Sequence, residues 1–363
     1  MSETALRKSK LSLFLILLMT AILINLLSGF RELIENHYAT RFYQVFARIL
    51  RTITGWLPIS VGDLLYLSVA LWIINMLFRF IKRLFKKQIT FASLKRAMAN
   101  LVILLLALYI IFNVFWGFNY NRLGISYQLK LNNREMDTAD LKSVFALLLD
   151  KVNSSKAYLI QKGGSYTGDR EIFRRAQKAY TVTQKVYPFL DYKTRSIKTS
   201  MFGWLGNYLG FIGYYNPFTG EAQVNTTVPR FVIPYTSCHE IAHQLGYAKE
   251  DEANFVGYLA ATTSTDTLFH YSAYLDLLTY AYPQVFFIDS SFAKQVREQL
   301  LPEVKEDLTE YRKFLFRHKN PFEPVIKWIY GKYLRVNQQP MGIMSYNDVI
   351  SRLVAFYKKY GRI

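Results

Sequence analysis

Three long apolar runs in the first third of the chain constrain the fold more than anything that follows them. They cover about Leu11–Phe30, Ile59–Phe80 and Ala99–Phe118. A helix needs about 20 consecutive apolar residues to cross the hydrocarbon core of a bilayer, where no water can satisfy loose backbone groups. Each run meets that length, so the sequence predicts three membrane spans, with the lipid bilayer as a partner. The first run follows Arg7, Lys8 and Lys10, as a secretory signal would. Its apolar stretch is long, and Leu26-Leu27-Ser28-Gly29-Phe30 lacks a small-x-small cleavage pattern, so a retained anchor is expected. Asp63 falls near the start of the second run, where the interface can hydrate it.

Basic residues set the expected orientation. Between the second and third runs lie Arg79, Lys82, Arg83, Lys86, Lys87, Lys95 and Arg96. Between the first and second, Arg31, Arg41, Arg48 and Arg51 are diluted by Glu32 and Glu35. Lysine and arginine collect on the cytoplasmic side, which puts the N-terminus inside and everything after about residue 120 outside. In a bacterial inner membrane, residues 121–363 would then form a periplasmic domain. Residues 38–57 are amphipathic and aromatic, as expected of a segment lying on the outer face of the membrane.

The net charge of +19 raises the question of nucleic acid. Its distribution answers against it. Residues 1–120 carry 14 Lys+Arg against 4 Asp+Glu, clustered beside the apolar runs, whereas the remainder carries 31 against 22. That is the pattern of membrane flanks facing anionic lipid, and no nucleic-acid-binding motif accompanies it. The lone cysteine, Cys238, cannot form an internal disulfide.

After residue 120 the pattern predicts an α+β domain, mostly helical, with a small sheet. Helices are expected at about 138–159, 169–186, 250–264, 291–317, 323–335 and 345–360. Strand-like Gly210–Tyr215 and Ala222–Thr227 flank Asn216-Pro-Phe-Thr-Gly-Glu221, which has turn chemistry.

The chemistry concentrates in Tyr235-Thr-Ser-Cys-His239-Glu240-Ile-Ala-His243-Gln-Leu-Gly246. On a helix, His239 and His243 lie one turn apart on one face and can hold a zinc ion, with Glu240 as the proton-handling base. Thr236 or Ser237 is placed to cap the helix and Gly246 to end it. Cys238 points about 100° away from His239 and reads as a small packed residue rather than a ligand. A catalytic zinc site takes a third protein ligand. The acidic cluster Glu250-Asp251-Glu252-Ala253-Asn254 offers two registers. With Glu250 as ligand, Ala253 permits close helix packing and Asn254 can hold a ligand histidine in place. With Glu252, the equivalent positions are Phe255 and Val256. For a transition-state donor, His270, Tyr271, Arg335 and Tyr346 qualify by residue type alone.

The Glu-x-x-Ala-Asn pattern at Glu250–Asn254 resembles the glutamate helix of gluzincin metallopeptidases, although only six residues separate His243 from Glu250. Gly246 is similar to the glycine of metzincins, whose third ligand would fall at Lys249, a residue that cannot ligate while protonated. Over nearly its full length the chain resembles the bacterial domain-of-unknown-function family 3810. The likeness rests on Gly213-Tyr-Tyr-Asn-Pro-Phe-Thr-Gly-Glu221, on His239–Gly246 and on Glu250–Phe255 behind N-terminal spans. It implies a zincin-like membrane protein.

The expectation is a membrane-anchored zinc metallopeptidase acting on peptide or protein substrates of the periplasm or cell envelope. Glu240 would take a proton from a water acidified to about pKa 7 and pass it to the leaving amine. A strand near 210–215 or 222–227 would pair with the extended substrate. The alternative is a catalytically inactive zincin-like scaffold tethered to the membrane.

Overall fold

The computed structural model describes residues 3–132, 137–164, 166–342 and 348–363. Three of its helices are long and apolar enough to cross a membrane: Ser9–Ser28 within the helix Glu3–Ser28, Val61–Phe85, and Phe91–Phe115. The second and third are shifted toward each other relative to the sequence expectation. Caps explain this. Thr90 and Ser93 form a reciprocal capping box that starts the third helix at Phe91, and the Ser60 hydroxyl accepts from Asp63 N at the head of the second. The basic residues therefore occupy terminal helical turns, where long side chains can reach polar surroundings. The first and third helices pack together, with Lys10 Nζ donating to Asn100 Oδ1 at 3.0 Å.

Residues between the first and second apolar helices fold onto the C-terminal part of the chain. A π-helical stretch, Ile34–Phe42, leads into the helix Tyr43–Thr54. Tyr43, Ala47, Arg51 and Thr54 are buried, whereas Phe42, Val45, Ile49 and Ile53 are exposed. The amphipathic reading of this segment holds, but its inner face packs on protein. The same contacts put residues 34–60 and the chain after 116 on one side of the apolar helices. Packing thus crosses the sequence boundary at 120.

The rest is mostly helical around one core. Helix Thr138–Gln161 packs along Thr267–Ile288, and Asp169–Val186 packs on Ile233–Gln244 and Glu250–Thr263. The expected 291–317 helix is two, Ser290–Glu298 and Pro302–Arg317, because Pro302 cannot continue the backbone ladder and starts a new first turn. Glu323–Val336 and Asp348–Tyr360 follow, and the expected start of the last helix at 345 lies outside the described residues. The short helix Gly203–Leu209 was not foreseen.

A small sheet joins these parts. Strands β1 (Ile197–Thr199), β2 (Gly213–Asn216) and β3 (Glu221–Val224) are ordered β1-β3-β2, with β1 parallel and β2 antiparallel to β3. Asn216 Oδ1 accepts from Phe218 N and Thr219 N at 3.0 and 3.2 Å, which closes the expected turn. The sheet grips the head of the second apolar helix. Glu221 accepts from Val61 N and Gly62 N at 3.1 and 2.5 Å, placing an anion at a helix N-terminus. Lys198 Nζ sits 2.6 Å from the same carboxylate and neutralises it. Sheet and apolar helix are therefore fixed to each other by buried, fully partnered charge.

Candidate metal centre

The motif helix Ile233–Gln244 is buried on almost every side. Thr236 and Ser237 do not cap it. Their hydroxyls bond back to the carbonyls of Val232 and Ile233 at 3.0 and 2.8 Å, because the helix begins earlier than its polar residues suggested. Ser272 supplies the start instead, accepting from Tyr235 N at 3.0 Å. Cys238 is buried, and desolvation pushes its thiol well up, so it is packed as expected.

The helix end is held by cations and an amide from the N-terminal part of the chain. Arg51 Nη1 donates to Gln244 O at 2.9 Å, Gln44 Nε2 to Leu245 O at 2.8 Å, and Arg122 Nη1 to Gly246 O at 3.2 Å. Positive charge at a helix C-terminus is favourable, and the otherwise loose carbonyls are satisfied. Gly246 adopts φ +85° and turns the chain through residues 245–249 into the next helix, Glu250–Thr263.

That turn brings His239, His243 and Glu250 together, with one ligand atom from each within 4.8 Å of the others. Glu250 Oε2 lies 3.3 Å from His239 Nε2 and 3.5 Å from His243 Nε2. The two registers are thereby separated. Glu252 faces away, packed against Gly124 and in the field of Lys249 and Arg352, 3.9 and 3.7 Å from its carboxylate. His243 Nδ1 stands 2.7 Å from Tyr247 O, and a carbonyl can only accept. Nδ1 therefore carries a proton, which leaves Nε2 as the nitrogen that faces Glu250 and that a metal would take. Asn254, the residue expected to hold a ligand histidine in the Glu250 register, is buried beside His239. As oriented, His239 Nδ1 and Asn254 Nδ2 both lack partners among the described residues.

Glu240 lies beside the group with Oε2 buried and unpartnered among the described residues. Burial raises its carboxyl to about 8, the charge of Glu250 adds to this, and His243 opposes it. Glu250 experiences the reverse balance. Burial pushes it up, but the two imidazoles, His243 foremost, hold it well below the usual carboxylate range. His239 is lowered, mainly by burial; burial also lowers His243, but the charge and hydrogen bond of Glu250, with Glu240 and the Tyr247 carbonyl, together raise it to about 9. A metal ion would take the place of protons on these nitrogens.

Two glycines that the sequence did not single out make the geometry possible. A Cβ on Gly213 would fall 2.3 Å from Glu240 Oε1, so β2 can pass the carboxylate only without a side chain there. A Cβ on Gly257 would lie 3.0 Å from His239 N and 3.1 Å from its Cα. The two site helices thus approach closely at Gly257, one turn beyond Ala253. Gly257→Val is expected to cost about 1–3 kcal/mol by overpacking and to move Glu250 off the histidines. Thermal unfolding and metal titration of that variant check this; unchanged metal affinity would show that the spacing is not set there.

Other expected donors are engaged elsewhere. His270 Nε2 bonds Ser264 O at 2.6 Å and Tyr271 donates to Asp307. Arg335 lies beside Gly342, and Tyr346 is outside the described residues. The tyrosine that does reach the group is Tyr330, whose hydroxyl donates to Glu250 Oε1 at 3.1 Å. No local pattern links positions 80 residues apart. Trp116, directly after the third apolar helix, meets the His243 ring edge-on at 6.2 Å between centroids.

Fold and site together define a mostly helical protein with three apolar helices of bilayer length and a His–His–Glu group that could hold a metal ion. By sequence, the chain belongs to the family described as protein of unknown function DUF3810, whose model matches residues 38–354. The match includes the segment clasping the motif helix, two of the apolar helices, the sheet and all three members of the group. No curated protein and no solved structure matches the chain.

Proposed function

We propose that this protein is a membrane-anchored, zinc-dependent metallopeptidase with a zincin-like domain. The observation that carries the reading is the convergence of His239, His243 and Glu250 with the buried Glu240 beside them, whose Oε2 has no partner among the described residues. The donor set suits zinc. Two imidazoles and a carboxylate form a catalytic zinc set, and ligands about 2.1 Å from the ion in a tetrahedral shell stand about 3.4 Å apart. The separations of 3.3 and 3.5 Å from Glu250 to the histidines agree with that edge.

When bound, zinc would polarise the scissile carbonyl and acidify a water. The chain's own residues do the rest. His243 is locked in the ligating tautomer by Tyr247, and Tyr330 steadies Glu250. Glu240, in its ionised form, would accept a proton from the water and deliver it to the leaving amine. Strand β2 is a sheet edge whose Gly213 touches Glu240. A substrate strand added to that edge would carry its peptide bond past the carboxylate.

The basic flanks support a cytoplasmic N-terminus and a periplasmic site acting on envelope proteins. A fusion reporter after residue 120 should read outside the cytoplasm; a cytoplasmic signal overturns that placement. The activity is tested by incubating the zinc-loaded, detergent-solubilised protein with a peptide library. Chelator-sensitive cleavage is expected. Zinc retention with no cleaved peptide would favour the scaffold reading instead.

A further inference from the structure

The helix Glu323–Val336 has two different faces. Inward, Tyr330 reaches Glu250, Tyr333 shares a hydrogen bond of 3.0 Å with Tyr120, and Gly331 and Leu334 are buried. Outward, Val325, Trp328, Ile329 and Val336 form an exposed stripe at helical spacing, with Trp328 61% and Val336 80% exposed. The neighbouring helix Gly203–Leu209 continues it with Trp204, 67% exposed, and Leu205. Asn320 Nδ2 ties the two segments together through Tyr208 O at 2.8 Å. Contiguous apolar surface of this kind marks a contact site.

Two contacts fix the level of this face. Met201 N, just before the Gly203 helix, donates to Asp63 Oδ2 at 2.7 Å in the first turn of the second apolar helix. Tyr120, the inward partner of Tyr333, follows directly on the third apolar helix, which ends at Phe115. The face therefore stands beside the points where the apolar helices would leave a bilayer. Its charge fits lipid too. Residues 319–336 hold Lys319, Lys327, Lys332 and Arg335 against Glu323 alone. Lys332 Nζ lies 5.7 Å from the Trp328 ring centroid, combining an aromatic with a long cation as membrane surfaces favour.

We propose that the Glu323–Val336 helix lies on an anionic bilayer surface with Val325, Trp328, Ile329 and Val336 in the acyl boundary. This is a lipid contact additional to the spans. It rests on the reading of the three apolar helices as membrane-spanning and not on the metal. It would set the rim of the His–His–Glu group, through Tyr330, at headgroup level.

The test uses the full chain in phosphatidylcholine vesicles containing phosphatidylglycerol. Nitroxide labels go on Val325→Cys, Ile329→Cys, Lys327→Cys and Ile74→Cys, with the buried Cys238 left in place. Relaxation by oxygen relative to a water-soluble nickel chelate should be several-fold higher at 325, 329 and 74 than at 327, which lies on the opposite side of the helix. Nickel access at 325 and 329 equal to that at 327, with 74 still rich in oxygen, overturns the proposal alone. Nickel access at 74 overturns the membrane-spanning reading beneath it. Spin–spin broadening at 329 that grows with protein density would assign the face to a second copy and also overturn it.

Discussion

Glu240→Gln is expected to keep its metal and lose about 10²–10⁴-fold in turnover, the range of a general acid–base residue. The substitution preserves shape and removes the ability to carry a proton. Glu240 is not one of the three ligand residues, so metal content should match that of the unmodified chain. The effect should be large because nothing else is placed to take over the role. The described carboxylates nearby are committed: Glu250 to the histidines and Tyr330, and Glu252 to the field of Lys249 and Arg352. Turnover by Glu240→Gln within about threefold of the unmodified protein, far short of that range, would remove Glu240 from the reaction.

Arg122→Met is expected to destabilise the fold by about 3–5 kcal/mol, because it leaves a buried carboxylate without its partner. Arg122 and Glu35 are joined by bonds of 2.8 and 3.0 Å, with both side chains almost wholly buried. Glu35 also accepts from Leu123 N, Gly124 N and Gln128, so it ties the segment before the second apolar helix to the chain after the third. Arg122 reaches on to Gly246 O and lies 4.5 Å over the Tyr247 ring. Its loss should therefore loosen the turn that orients His243 and weaken metal binding as well. Unfolding in detergent followed by tryptophan fluorescence measures the first effect; a change below about 1 kcal/mol, the surface-pair range, would contradict this account.

The same pair sets a pH dependence. Burial raises the Glu35 carboxyl, but Arg122 and the backbone donors outweigh it, so its folded pKa is depressed. The stabilisation is fully present above the unfolded carboxylate pKa of about 4.3. It disappears as pH falls through the folded value, when Glu35 takes up a proton. Arg122→Met removes this component of acid sensitivity.

Much of the site was legible because its spacing is local. Helix geometry puts His239 and His243 one turn apart on one face, and Glu250 and Asn254 follow within a dozen residues, just past the turn that Gly246 signals. Of the two registers set out from the acidic cluster, the structure brings Glu250 to both histidines. Ala253 is buried as its close packing requires, whereas the close approach at Gly257 was not foreseen, because helix phase does not reveal where two axes cross. What was not legible is long-range. Tyr330, Gln44, Arg51 and Arg122 reach the motif helix or its glutamate from remote positions, and no periodicity encodes such meetings. Strand β1 was missed since three residues carry too little alternation to register, and it pairs with β3 across the intervening helix. The apolar helices were found by length, and their ends were shifted by caps at Ser60 and Thr90.

The central claim is that His239, His243 and Glu250 hold a catalytic zinc ion. The most direct measurement is elemental analysis of the purified full chain beside His239→Ala/His243→Ala, both prepared under metal-replete conditions. The account predicts about one zinc per chain, as a single site requires, and its loss in the double variant with the fold intact by circular dichroism. No bound metal in the unmodified chain, or zinc retained by the double variant, would contradict it.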